Sequence, residues 1–318
     1  MSERLHLAKT PVIVPLALAL SAQSFLACSS GSEGSASAPR DENVSSDTSD
    51  LVVQGTRETL VDSIASIENS MFTQSGRLFV TGDDGVYEIT RDATGAAKAT
   101  AWASGAGCKF AGMAEVNGVL YVNCYDLTNS AVYAATLTAT PSFRKIYDLP
   151  GVGLANGAAA DDSGRIYLAD SFGGTIWRLS VDPENPFAIT LRESFSTGNL
   201  FPNGLKVFGG AIYYTDFVAV KRIPLLANGR GGPVTTLTTQ LTFFDDLYVD
   251  DSGILVANYL LGYVEGLTSA GVDLLDTPAL GLSGPSSVLP AKGRFGLSKT
   301  DVLVTEKTAN RLSVFHVF

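Results

Sequence analysis

The sequence of 318 residues has little histidine, sulfur and charge: it contains two histidines, three cysteines and 17% charged side chains. The histidine nearest any repeated strand is His316, close to the C-terminus, so a Ser-His-Asp triad has little support. The net charge of -10 argues against a nucleic-acid partner, because an acidic chain cannot release counterions from phosphates. What the chain does have is 45% hydrophobic residues and 32 glycines, which favours a folded, turn-rich β protein over a disordered one.

The N-terminal region is typical of an exported protein. Basic residues precede an apolar run over residues 11–20, which is too short to span a bilayer as a helix. Residues 25–28 resemble a bacterial lipobox, in which the cysteine, Cys28, is lipidated and becomes the mature N-terminus. We therefore predict a signal peptide over residues 1–27 and a lipid anchor in the bacterial membrane, facing the periplasm or the outside. Ser29 after the cysteine favours the outer membrane. Ordinary cleavage with a free Cys28 is the alternative.

After the cysteine, residues 28–57 are rich in serine and poor in apolar side chains, which predicts a flexible tether. The rest of the chain, residues 58–318, repeats itself. Short apolar segments recur with their centres 42, 46, 46, 43 and 47 residues apart. The centres are Phe79, Tyr121, Tyr167, Tyr213, Val256 and Leu303.

Tight-turn signals such as Asn117-Gly118 precede these segments, and a further short strand follows each one. Three or four short antiparallel strands in each repeat of about 45 residues are typical of propeller blades. The sequence thus predicts an all-β fold, a single six-bladed β-propeller around a central channel. We expect it to be a monomer.

The innermost strand of every blade lines the channel, so residues at its entry converge on the axis. Four of the six equivalent positions carry an oxygen donor: Glu68, Asn156, Asn203 and Asp245. The equivalent position of the second blade holds Phe110 or Ala111. The sixth blade has a longer connection, so its equivalent residue is left open. Two carboxylates and two amides favour Ca²⁺, with Mg²⁺ or Zn²⁺ as alternatives, zinc being disfavoured without histidine or cysteine. Alternatively, the asparagines are turn residues and the acids are only solvated.

Two stretches resemble a known family. Residues 201–205 followed by 212–216, and residues 245–250 with Gly253, are similar to two blades of the gluconolactonase and senescence-marker-protein family. The resemblance implies a six-bladed propeller that hydrolyses a lactone with the help of Ca²⁺ or Zn²⁺. It also implies the same four metal ligands, Glu68, Asn156, Asn203 and Asp245.

The sequence departs from the family at three places. Asn69 follows Glu68 where the family usually has glycine, and Asp246 replaces the glycine that usually follows the aspartate. The stretch before Asn156 lacks the arginine that some sugar lactonases use.

We expect the cation to polarise a lactone or ester carbonyl, while Asp245 orients or deprotonates the attacking water. Asp170 and Asp216, which end the second strands of two blades, are predicted to contact substrate, with turn capping as the alternative. Aromatic residues near the same rim favour an apolar or flat substrate. They are Phe110, Phe172, Phe201, Phe217, Phe244 and Tyr259.

The last two cysteines, Cys108 and Cys124, lie at the same end of the second blade, and a disulfide between them would fit an oxidising compartment. With the hairpin closed at Asn117-Gly118, Cys124 is expected opposite Ala111. Two buried thiols are the alternative. A second class of function also stays open: a non-catalytic propeller that binds a ligand or protein and uses Ca²⁺ only to hold its shape. A propeller lyase or a strictosidine-synthase-like enzyme is a third possibility.

Overall fold

The computed structural model describes residues 55–104, 107–138, 142–268, 273–276 and 281–317. Within these residues the chain forms six four-stranded antiparallel sheets arranged as the blades of a β-propeller. The predicted all-β, six-bladed fold is confirmed. No helix with the length and apolar character of a transmembrane segment occurs in this part of the chain. The predicted signal peptide, Cys28 and the tether up to residue 54 lie outside the described residues, so they stay predictions.

The strands follow one another blade by blade. The chain enters through β1 (Gly55–Val61). Blade one contains β2 (Ser70–Phe72), β3 (Leu78–Gly82), β4 (Gly85–Arg91) and β5 (Ala97–Ser104). Blade two contains β6 (Lys109–Val116), β7 (Val119–Tyr125), β8 (Ser130–Thr136) and β9 (Arg144–Leu149). Blade three contains β10 (Ala155–Ala160), β11 (Arg165–Asp170), β12 (Thr175–Val181) and β13 (Ile189–Ser196).

The remaining blades repeat this order. Blade four contains β14 (Pro202–Phe208), β15 (Ala211–Asp216), β16 (Ala219–Pro224) and β17 (Thr235–Thr239). Blade five contains β18 (Phe244–Asp250), β19 (Gly253–Asn258), β20 (Tyr263–Leu267) and β21 (Asp273–Asp276). Blade six contains β22 (Pro285–Pro290), β23 (Val302–Glu306) and β24 (Arg311–Val317), and a 3-10 helix, Lys307–Ala309, separates the last two strands.

The second strand of each blade supplies most of the core. The apolar segments predicted from the repeat all fall in these strands, and large rings such as Phe79, Tyr121, Tyr167 and Tyr214 are fully buried. Burying one such side chain stabilises the fold by about 1.5–3 kcal/mol. Apolar contact between neighbouring sheets therefore holds the blades together. The polar side chains of the channel are not needed for this packing.

The innermost strands of blades two to six share one irregularity near their starts. The pairing with the second strand slips between Phe110 and Met113 in blade two, and at the corresponding place in the other four blades. A β-bulge of this kind bends the strand and redirects a side chain. Because of the bulge, Cys124 pairs with Phe110 and not with Ala111, which corrects the expected register.

The second blade carries a covalent link at the same end. Cys108 and Cys124 form a disulfide, with their Cα atoms 5.7 Å apart. The bond ties the residue just before β6 to the end of β7, so it stabilises the strand start at which the bulge occurs.

The two ends of the described chain meet in blade six. Strand β1 pairs with β24 along its length, from Gly55 opposite Val317 to Val61 opposite Leu312. The sheet order is therefore β1-β24-β23-β22, and the outermost strand of the last blade comes from the start of the domain. Position 58, where we place the start of the propeller, lies within this strand.

A buried carboxylate secures this closure. Glu306, at the end of β23, accepts hydrogen bonds from Arg311 Nε and Nη2, both at 2.8 Å, and from the Ser283 backbone at 2.9 Å. Arg57 of β1 also reaches it, at 3.5 Å. Burial alone would raise the pKa of Glu306, but the hydrogen bonds from Arg311 and Ser313 outweigh it, so the pKa lies below its ordinary value of 4.5.

We predict that Glu306→Gln lowers the free energy of unfolding by about 2 kcal/mol at pH 7, because Arg311 loses its charged partner. The folded-state pKa is depressed, so the contribution is present above the ordinary pKa of 4.5 and is lost as the pH falls below it. Urea unfolding at pH 7 and pH 3 measures both effects. Glu58→Gln, an exposed residue on β1, is the control and should change little. Equal losses in the two variants would contradict the prediction.

Candidate active site at one end of the channel

The six blades each have one equivalent position at the start of the inner strand, and in blades two to six it lies at the bulge. In blades three to six this position is the second residue of the inner strand, in blade two it is the third residue of β6, and in blade one Glu68 takes it just before β2. The equivalence of blade one follows from its hydrogen bonds: Asn69 N donates to Thr81 Oγ1, as Gly204 N donates to Thr215 Oγ1 in blade four. The six residues are Glu68, Ala111, Asn156, Asn203, Asp245 and Ser286.

All four of the predicted oxygen donors are buried at these positions, between 3% and 8% exposed. The amide of Asn203 donates to Asp245 Oδ1 at 2.7 Å, so two adjacent blades are joined directly. The amide of Asn156 donates to Ser171 Oγ at 3.4 Å. The two positions left open by the sequence carry Ala111, which has no donor, and Ser286, whose hydroxyl is bonded to the Ile67 carbonyl.

Sequence reasoning missed a lysine at this site. Lys307 begins the 3-10 helix after β23, and its ammonium group donates a hydrogen bond to Glu68 Oε2. The signal was present in the repeat, because each blade has an equivalent residue at this end, just after the second strand or, in blade two, as its last residue. The equivalent residues are Asp83, Tyr125, Ser171, Phe217, Tyr259 and Lys307.

Glu68, Asp245 and Lys307 form what we call the charged cluster. Burial and the charge of Glu68 raise the pKa of Asp245 well above 3.8, while Lys307 acts in the opposite direction. Burial would lower the pKa of Lys307, but the charges of Glu68 and Asp245 outweigh it and the pKa is raised. Lys307 is therefore a permanent cation, and Asp245 is the acid whose proton is held more tightly than usual.

Two tyrosines lie within the field of this cluster. Burial, and then the charge of Glu68, raises the pKa of Tyr125 to about 12. Burial also raises the pKa of Tyr259, with the charges of Lys307, Asp245 and Glu68 all acting on it. Both phenols therefore stay protonated at neutral pH, and they are hydrogen-bond donors at the edge of the charged cluster.

The donor set fits a resident divalent cation poorly. A cation held by the four predicted ligands needs the Glu68 carboxylate, yet the ammonium of Lys307 is already bonded to it. No group of three histidine, cysteine, aspartate or glutamate side chains gathers around one point anywhere in the described part of the chain. The site thus brings Glu68, Asp245 and Asn203 together with a positive charge that repels a metal ion, while Asn156 is bonded to Ser171 of its own blade.

A second polar layer includes the two departures from the family pattern. Asn69 donates to Asp246 Oδ2 at 2.8 Å, and Lys206 Nζ lies 3.1 Å from both Asp246 oxygens. Asp246 occupies the space above Gly204, where an added Cβ would lie 2.2 Å from its Oδ1. The residues that replace two glycines of the family therefore contact each other, although they belong to blades one and five.

The other predicted substrate contacts do not reach the charged cluster. Asp170 accepts from Gly173 N at 2.9 Å and so caps the turn after β11, which matches the alternative we left open for it. Asp216 accepts from Phe201 N at 2.6 Å and pairs with Lys221, so it links the start of β14 to the end of β15 within its own blade. Phe110 and Phe244 are 1% and 0% exposed, so their prediction as substrate contacts is corrected: both rings pack inside the blades.

A continuous line of aromatic rings does lie at this end. Phe172 contacts Phe201 with ring centres 6.0 Å apart, and Phe201 contacts Phe243 at 5.7 Å. Phe243 in turn contacts Phe217 at 5.7 Å and Tyr259 at 6.0 Å. We call these five residues the aromatic arc. It runs from exposed Phe172 to Tyr259, which borders the charged cluster, and it includes Phe243, the neighbour of the predicted Phe244.

Solved structures resemble this fold at low sequence identity. A luciferin-regenerating enzyme matches with a TM-score of 0.64 and 14% identity, over 83% of this chain and 95% of its own. A gluconolactonase from Xanthomonas campestris matches with a TM-score of 0.61 and 14% identity, over 83% and 90%. A nidogen–laminin complex matches with a TM-score of 0.55 and 18% identity, over 72% and 85%. These likenesses show the fold.

Comparison of the sequence with family models and with curated proteins adds nothing to the likeness in fold. No family model matches the chain, and no curated protein matches it. The function must therefore be argued from the residues of the site.

We predict that Asp246→Ala lowers the free energy of unfolding by about 2–3 kcal/mol, because Lys206 and the Asn69 amide lose their partner. Asn69→Ala should lower the free energy of unfolding less in the Asp246→Ala background than in wild type, with a coupling energy of about 1 kcal/mol. Urea unfolding of the two single variants and the double variant measures it. Asp246→Ala combined with Asn129→Ala, an exposed turn residue, is the additive control. Additivity in both pairs would show that Asn69 and Asp246 do not interact.

Proposed function

We propose that the protein is a hydrolase that opens a lactone or cleaves an ester at the charged cluster. The observation that carries the proposal is the position of Asp245: a buried carboxylate of raised pKa, beside a fixed ammonium group, at a mouth lined by aromatic rings. A general base is most effective when its pKa is close to the working pH, and burial is the usual means of moving a carboxyl group in that direction. The likeness in fold to a gluconolactonase supports the same class of reaction.

In this proposal Asp245, once ionised, takes a proton from the attacking water. The positive charge of Lys307 faces the oxygen on which negative charge develops as the carbonyl is attacked. Glu68 holds the ammonium group in place, and Asn203 holds the Asp245 carboxylate through its amide. None of these steps depends on the Ca²⁺ ion, or on the alternatives Zn²⁺ and Mg²⁺, expected from the sequence.

The aromatic arc favours an apolar substrate over a hydroxylated sugar. Its outer end, Phe172, is 60% exposed, and Phe217 is 41% exposed. Exposed leucines on neighbouring loops of the same end, such as Leu200 and Leu260, widen the apolar surface. We therefore propose a lactone or ester with an acyl or aryl group that lies along the arc while the carbonyl reaches Lys307.

The proposed setting is an exported one. The disulfide between Cys108 and Cys124 is of the kind that persists in oxidising compartments, and it agrees with the export signal expected from the sequence. We propose that the protein is tethered to the bacterial membrane through lipid at Cys28, with the propeller free to meet small apolar substrates.

A non-catalytic binding propeller is the second candidate. The exposed aromatic arc is the observation that favours it, since exposed apolar patches commonly mark sites of interaction. The nidogen–laminin complex, with a similar fold, is a structure of proteins bound to each other.

We predict that the purified domain hydrolyses members of a panel of γ-lactones, δ-lactones and aryl esters, and that Asp245→Asn lowers kcat/KM by at least about 100-fold. The variant should keep its thermal midpoint, because a buried acid of raised pKa gains nothing from ionising. Asp148→Asn, an exposed acid, is the control. Absence of turnover across the panel would favour the binding propeller, and full activity of Asp245→Asn would remove Asp245 from the mechanism.

We further predict that Phe172→Ser raises KM about tenfold for a lactone with a long acyl chain, with kcat unchanged, because about 1.4 kcal/mol of apolar contact is lost equally from substrate and transition state. A short-chain lactone should show no change. Leu226→Ser removes a comparably exposed apolar residue outside the arc and serves as the control. An equal effect on both chain lengths would contradict binding along the arc.

A further inference from the structure

Lys307 is held rigidly at the site by the closure of the ring. Its backbone N–H donates to the Gly284 carbonyl at 2.9 Å, and the preceding strand contributes Thr305 Oγ1, which donates to the Glu68 carbonyl at 3.1 Å. After Lys307, the turn residue Asn310 accepts from Ser66 N at 2.8 Å. The segment that carries the lysine is therefore bonded to the segment that carries Glu68 at several points, and the ammonium group is preorganised.

The lysine also occupies the position that a metal ion requires. Its ammonium group is bonded to the Glu68 carboxylate, and only 25% of the Lys307 side chain and 9% of the Glu68 side chain are exposed. It also interacts with Asp245, the second carboxylate of the predicted ligand set. An ion coordinated by both acids would lie beside a fixed positive charge, so it could enter only after displacing the lysine.

We propose that the ammonium group of Lys307 takes the place of a divalent cation in this site, so that the protein binds no metal ion at the four oxygen donors. The lysine neutralises Glu68 as a metal would, and it presents a positive charge to the same space. It does so as a part of the chain, without dependence on the supply of an ion. The inference rests on the proposed hydrolase only for its catalytic consequence, which is activity insensitive to chelators.

The charge of the site agrees with this assignment. The ammonium group of Lys307 is bonded to Glu68 and also interacts with Asp245, so one cation serves both carboxylates of the site. Asp246, the next nearest acid, is paired with Lys206. Removing the Lys307 charge alone should therefore leave the two carboxylates and the two amides at the equivalent positions of their blades without a cation, and carboxylate and amide oxygens are the ligands that Ca²⁺ prefers.

The test is calcium binding to the purified soluble domain, measured by isothermal titration calorimetry and by thermal unfolding at pH 7.5, with Zn²⁺ and Mg²⁺ in parallel. Wild type is expected to bind none of these ions. Lys307→Met, which keeps the length of the side chain and removes the charge, is expected to bind Ca²⁺ and to gain about 5 °C at a concentration roughly 100 times the dissociation constant. Lys292→Met, at the other end of the blades, is the matched control and should bind none.

Stoichiometric binding of Ca²⁺ to wild type would overturn the proposal, and that measurement stands even if Lys307→Met fails to fold. Absence of binding in both wild type and folded Lys307→Met would also overturn it, because the four donors would then not be a cation site. Lys307→Arg, which keeps the charge, should behave as wild type. Failure of the hydrolase proposal is a separate result: no turnover in the lactone and ester panel leaves the binding measurements unaffected.

Discussion

Closure of the propeller ring brings the two ends of the domain together, and the charged cluster forms at this junction. Strand β1 completes the sheet of β24, so the start of the domain is held against its end. This places residues 64–68 beside residues 305–310, where Ile64 N donates to the Asn310 carbonyl at 3.1 Å. The Glu68–Lys307 pair spans 239 residues of sequence and forms only in this closed ring. The entropy lost in closing such a long loop grows slowly with its length, so a few buried contacts in blade six can offset it.

A second constraint is the bulge repeated at the start of the inner strands. A regular strand alternates its side chains between two faces, and both faces of an inner strand meet neighbouring blades or the channel. The bulge adds a residue whose side chain is redirected, so blades two to six each offer one position at the start of the inner strand, and Glu68 takes the equivalent position in blade one without a bulge. Evolution can vary the chemistry there without disturbing the core. In this chain the six positions hold two acids, two amides, one alanine and one serine.

The sequence repeat accounts for what could be predicted. The second strands were identified correctly because each is a short apolar run after a turn signal, and the phase of the repeat located Glu68, Asn156, Asn203 and Asp245 at one end. The bulge left no mark in the sequence. The expected partner of Cys124 was therefore off by one residue, and Phe244 was predicted at the rim where Phe243 lies.

Lys307 was missed for a different reason. The predicted oxygen donors share one phase of the repeat, whereas the lysine lies at another phase and meets Glu68 only through ring closure. For Asp170 and Asp216, the position in the chain was predictable but the contact was not. Their position at strand ends was predicted correctly, but only the local backbone conformation decides whether such a carboxylate caps a turn or faces the channel.

The buried acids of this end differ in their partners, and the difference singles out one of them. Glu68 is paired with Lys307, Asp216 with Lys221 and Asp246 with Lys206. Asp245 instead accepts a hydrogen bond from the neutral amide of Asn203, and within the described residues it forms no ion pair of its own. A carboxylate with a cation in contact keeps its charge, whereas one held by an amide and buried beside another acid binds a proton more readily. The lysines thus contact three of these acids, and Asp245, whose pKa is raised by burial and by the charge of Glu68, is the acid of the charged cluster that we propose exchanges a proton with a substrate or a water molecule.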